Sequence, residues 1–138
     1  MNSLKYGLLA VLSLLVFQAC KEKETKTLSQ MNEVMAIHDE VMPKMGTIGK
    51  LVAELKPKVD STETGMAYDK AMKDLQEAHK SMMDWMKGFG DRFTSDEILN
   101  GAALTPQKQE WLNEEEKKVR ALKLQINTSI ENAEKLLE

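Results

Sequence analysis

Both histidines of this 138-residue chain sit among methionines, and that pairing is the feature with the most chemistry in it. His38 has Met35, Met42 and Met45 at helical spacing, and His79 has Met82, Met83 and Met86. Thioether sulfur and imidazole nitrogen are soft and borderline donors. In a protein with no thiol to spare they suit Cu(I) better than zinc, magnesium or calcium. Two or three methionines and one histidine on facing helices would supply three or four ligands, drawn from Met35, His38, Met42, His79, Met82, Met83 and Met86. The plainer reading of the same residues is core packing. Methionine fills irregular gaps and contacts aromatic rings, and Trp85 and Trp111 are at hand. A b-type haem on one histidine and one methionine is a third possibility, but a small bundle would have to open to admit it. Asp39 and Glu40 are expected to point away from the stripe.

These donors meet only if helices bring them together. Met31, Met35, His38, Met42 and Met45 recur at 4, 3, 4, 3 spacing, and Ile48, Val52 and Leu55 continue the stripe. Thr27 with Gln30 has the form of a capping box, so a first helix is expected from Leu28. Pro43 removes a backbone donor and crowds the carbonyl of Asp39, which predicts a kink near Met42–Met45. Lys56-Pro57 stops the helix, and Asp60-Ser61-Thr62 forms the turn. Tyr68, Met72, Leu75, His79, Met82, Met86 and Phe89 line a second helix, with Gly88 and Gly90 as its end. Thr94 and Glu97 can cap a short helix around Asp96–Leu99, and Asn100-Gly101 is a turn. Thr105-Pro106 opens a third helix. Its apolar face is Leu112, Val119, Leu122, Ile126, Ile130, Ala133 and Leu137, with Glu114 and Lys118 paired at i, i+4.

Three helices of similar length with a short first connection imply an all-α fold, an antiparallel up-down-up three-helix bundle with coiled-coil-like packing over residues 28–138. Folding the first two helices about residue 60 places residues whose numbers sum to about 121 opposite each other. His38 then faces Met83, Met42 faces His79 and Met35 faces Met86. The stripes are expected to meet at one end of the hairpin, joined there by Trp111 and Leu112.

The N-terminus supplies an address. Lys5 precedes an apolar run, Leu8–Phe17, too short to span a membrane, and Ala19 precedes the single cysteine, Cys20. Val16-Phe17-Gln18-Ala19-Cys20 resembles a lipobox, the cleavage site of bacterial lipoproteins. Phe17 and Gln18 depart from the preferred leucine and small residue. The resemblance implies a signal peptide over 1–19, a lipidated Cys20 and a tether over 20–27. Several acyl chains on one residue anchor stably. Lys21 is not aspartate, so the familiar inner-membrane retention signal is missing. Cys20-Lys21-Glu22-Lys23-Glu24 is similar to the export tract of Bacteroidota surface lipoproteins, which implies an outer-membrane location. Ile37–Gly46 and His79–Met86 resemble small helical lipoproteins of that group, some labelled "viral A-type inclusion protein", a label that implies no mechanism. Asp60-Ser61-Thr62 also matches the short O-glycosylation acceptor pattern of that group, with Ser61 as the acceptor.

Composition narrows the rest. The chain has 19 basic and 22 acidic residues; removing Lys5 with the leader leaves 18 against 22, a net charge of −4. A mildly acidic chain lacks the basic patch that nucleic acid requires. One cysteine excludes an internal disulfide. No glycine-rich phosphate loop, catalytic triad or pocketed carboxylate pair is legible, so no enzymatic activity is expected. The expected function is a non-catalytic binding or structural role at the envelope, through the membrane anchor and an envelope protein partner that the sequence does not identify. A Cu(I)-binding or copper-tolerance role is the alternative.

Overall fold

A computed structural model describes residues 25–138. The expected signal peptide over 1–19, the lipidation at Cys20 and the start of the tether lie outside the described residues. Within them the protein is all-helical. In chain order the elements are α1 over residues 25–41, α2 (Lys44–Leu55), a single 3₁₀ turn (Lys56–Lys58), α3 (Glu63–Arg92), α4 (Ser95–Leu99) and α5 (Pro106–Leu137). No helix among these residues is long and apolar enough to cross a membrane.

The expected first helix is two. The break falls at Met42–Pro43, where the ladder loosens into i, i+3 bonds: Met45 N–H to Met42 O at 3.2 Å and Gly46 N–H to Pro43 O at 3.4 Å. Pro43 has no N–H to donate and its ring crowds the preceding turn, so the helix restarts beyond it. α1 also begins earlier than expected. Thr27 is inside the helix, and its hydroxyl donates to Gln109 Oε1 on α5 at 2.5 Å rather than capping. Residues 25–27 are therefore helix and not tether.

The other helix ends follow local chemistry. The Thr62 hydroxyl accepts from Gly65 N–H at 3.0 Å and caps α3, while Asp60 Oδ1 receives Thr62 N–H at 2.9 Å. Thr94 and Glu97 form a reciprocal capping box on α4. Thr105 caps α5 with Pro106 at the first position. α3 does not stop at Gly88 or Gly90 but runs on to Arg92. Glycine weakens a helix interior by only about 1 kcal/mol, and burial of Phe89 and Phe93 outweighs it.

Partner residues set the directions. Gln30, Glu33, Glu40 and Lys44 meet Asn113, Arg120, Lys123 and Asn127 in rising order, so α1 and α2 run alongside α5 in the same sense. α3 runs the other way: His38 meets Trp85, and Arg92 meets Glu114 and Glu115. The core between them is aliphatic, with Val34, Val41, Leu55, Leu75, Met82, Leu112, Val119 and Ile126 fully buried.

Candidate functional site

The buried face of α3 is not the one its methionines suggested. It is Gly65, Ala71, Leu75, Ala78, Met82, Trp85 and Phe89. From Ala71 on this series is spaced as regularly as the expected one, but Ala71 and Ala78 stand where Met72 and His79 were expected, while Tyr68 and Met72 are half-buried beside it. A helix packed in the middle of others favours small residues that let its neighbours approach. The face therefore turns toward Ala71 and Ala78 and moves His79, Met83 and Met86 to its flank.

The seven candidate ligands divide accordingly. Met82 is fully buried among aliphatic side chains. Met35 and Met42 are half-buried on α1 and at its end, packed against the core. His38 points inward, with its ring 5.8 Å from Trp85 at an interplanar angle of 30°. Its Nδ1 lies 2.9 Å from Asp39 Oδ1. Asp39 thus turns back to its neighbour, contrary to expectation, while Glu40 faces away and takes Lys123 Nζ at 2.7 Å. His79 is exposed, and Met83 and Met86 are each more than a third exposed. The cluster is also not at one end of the hairpin. His38 is about 20 Å along the rod from residue 25 and about 26 Å from residue 55, counting the rise per residue. Trp111 and Leu112 are the α5 residues expected beside the cluster. In the structure Trp111 stacks under Arg92 instead, 5.4 Å from its guanidinium.

Among the described residues no three His, Cys, Asp or Glu side chains converge as a metal-binding set. Any metal held by these residues would rest on thioethers.

A second constellation was not anticipated. Trp85 and Phe89 stack along α3 and Phe93, just past its end, tilts against Phe89, with centroids 5.0 Å and 4.9 Å apart, and His38 extends the ladder onto α1. The Trp85 Nε1–H is buried with no acceptor among the described residues. Trp85 also lines a groove between α3 and α5 of about 460 Å³, with Ser81, Asp84 and Gly88 on one wall and Glu115, Lys118 and Ala121 on the other. Glu115 is 2% exposed. Its Oε1 accepts from Arg92 Nη1 at 2.9 Å and from Lys118 Nζ at 2.8 Å, while Glu114 takes the second Arg92 bond at 2.7 Å. The expected Glu114–Lys118 pair is therefore exchanged: each has a different partner. Guanidinium bonding holds the Glu114 carboxyl below its ordinary range.

One signal could have exposed Glu115. Leu112, Glu115, Val119, Leu122, Ile126, Ser129 and Ala133 follow an unbroken 3, 4 alternation, so Glu115 and Ser129 occupy core positions of α5. A helix turning steadily through the sequence buries whatever stands there, and a carboxylate so placed must find cations. Ion pairs within single helices, such as Lys70–Asp74, Lys80–Asp84 and Lys87–Asp91, lie along exposed faces. Pairs of that kind contribute little to stability.

No protein-family model matches this chain, and neither a curated protein nor a solved structure does.

Proposed function

We propose that the chain is a lipid-anchored, non-catalytic helical module of the cell envelope, held by Cys20 at the outer membrane, with its long faces offered to another envelope protein. In this reading α1 with α2, α3 and α5 act as three rods of an up-down-up bundle with coiled-coil-like packing. The break at Met42–Pro43 is then a bend within the first rod.

The observation that supports the reading most is the character of the end nearest Cys20. Thr25 is already helical, and the chain from Cys20 to Thr25 can reach at most about 18 Å. A lipidated Cys20 would hold that end of the bundle close to a bilayer. The same end carries apolar side chains in solvent: Leu28 is 43% and Leu99 78% exposed. Leu28 lies against the turn that follows Leu99, since a Cβ on Gly101 would be 2.7 Å from Leu28 Cδ1. Exposed leucines next to an acyl anchor add apolar area where the headgroup region can take it. Ser61 is exposed in the bend before α3, at the opposite end. A glycan there would project away from the membrane.

The test is fractionation of cells expressing the full chain. Cys20→Ser should move the protein from the membrane fraction to the soluble one, with no lipid label incorporated. Unchanged membrane association would refute the anchor and with it this reading.

A further inference from the structure

Six soft donors border the seam between α1 and α3, those of α3 exposed and those of α1 partly buried, and their placement follows from helix phase and one ring contact. On α3, with Met82 taken as the inward direction, His79, Met83 and Met86 lie within about 60° of one another on one flank. The opposite flank, with Ser81, Asp84, Trp85, Gly88 and Arg92, faces α5. On α1, with Val34 inward, Met35, His38 and Met42 also fall within about 60° of one another. Gln30, Glu33 and Glu40 face α5 from the other flank. The two donor sets therefore border the same seam. The His38–Trp85 stack fixes the register along it. Because the helices are antiparallel, Met42 comes level with Ser81. His79 and Met83 stand about 3 Å above and below that level.

We propose that Met42, His79 and Met83 form a Cu(I) site at this edge, two thioethers and one imidazole in a three-coordinate set. Two of the three donors stand in solvent. His79 is exposed and has no hydrogen-bond partner among the described residues. Met83 is 36% exposed, so its thioether is not committed to the core as that of Met82 is. Met42 is half-buried against the core at the helix break, and its thioether has to turn outward there, where Pro43 frees the backbone from a regular ladder. Such a set selects a soft monovalent ion over zinc or calcium, because it contains no carboxylate or thiolate. Binding moves no electron: the ion enters and leaves as Cu(I). The site stands independently of the anchor at Cys20.

The test is competition for Cu(I), kept reduced by ascorbate, between the purified full-length chain and bicinchoninate. One equivalent should bind with a Kd below about 1 μM. Met42→Leu with Met83→Leu, a volume-conserving pair, should weaken binding at least tenfold, and so should His79→Ala. Met35→Leu with Met86→Leu removes as many sulfurs from the same seam and should leave the affinity within twofold. X-ray absorption of the loaded protein should contain both sulfur and nitrogen scatterers. A Kd weaker than micromolar would overturn the site. Equal affinity in the Met42/Met83 variant, or equal losses in both methionine pairs, would do the same. Circular dichroism of each variant separates loss of ligand from loss of fold.

Discussion

Removing Arg92 isolates the energetics of the Glu115 carboxylate. Glu115 is fully enclosed by α3 and α5, and its charge is matched by Arg92 and Lys118, whose side chains are 28% and 53% exposed. Breaking a wholly buried pair costs about 3–5 kcal/mol. Here Lys118 remains and water reaches the Arg92 position, so about 2 kcal/mol is the expected loss from the pair. Arg92→Ala also gives up the guanidinium over Trp111, worth about 0.5–1 kcal/mol where partly exposed. The sum, about 2.5–3 kcal/mol, is a large part of the 5–15 kcal/mol typical of such domains. Tm should fall by roughly 10 °C. Glu115→Met should behave oppositely. It fills the same space without a charge and leaves two cations that can turn to solvent, so stability should stay within about 1 kcal/mol of the parent. The double variant should recover most of the Arg92→Ala loss, because the stranded carboxylate is gone. Urea unfolding followed at 222 nm reads all three. If Glu115→Met costs more than Arg92→Ala, or if the two losses add in the double variant, the carboxylate is an asset in its own right and the reasoning fails.

Two other predictions concern one carboxylate and two glycines. Burial pushes the Glu97 carboxyl up, but Lys108 Nζ at 2.6 Å and the Thr94 N–H and hydroxyl outweigh it and set it below its ordinary value. A lowered folded value means that this contribution is complete above the unfolded value of about 4.3 and is lost as pH falls through the folded one. Glu97→Gln should therefore flatten the acid limb of a Tm-against-pH profile below about pH 4.5, and an unchanged limb would remove Glu97 from it. The glycines should divide by sign. A Cβ at Gly65 would lie 1.9 Å from Asp60 Oδ1 and 2.6 Å from Asp60 N, so Gly65→Ala should destabilise by about 1–3 kcal/mol. At Gly49, inside α2, a Cβ meets nothing within 4 Å, and Gly49→Ala should stabilise by about 0.5–1 kcal/mol. Both are read as shifts in the urea midpoint.

Helical class and most element boundaries were legible because they depend on neighbours in sequence. Thr62, Thr94 and Thr105 cap the helices that follow them, and Pro43 and Pro57 interrupt helices wherever they stand, since each acts on backbone groups within four residues. The Cys20 motif is likewise local, and it is read from sequence alone. What the sequence left open was rotation. On α3, two interleaved series share Leu75, Met82 and Phe89, and either could have faced inward: one passes through His79 and Met86, the other through Ala78 and Trp85. Choosing between them depends on how closely α1 and α5 can approach, and only packing decides that. Ala71 and Ala78 admit the neighbouring helices where Met72 and His79 would hold them off. That rotation of the face buries Met82 and Trp85 and leaves Met83, Met86 and His79 in solvent. It converts an expected core cluster into an edge of exposed donors. The same closeness encloses Glu115 and supplies it with Arg92 from another helix, a pairing across 23 residues that no local pattern specifies.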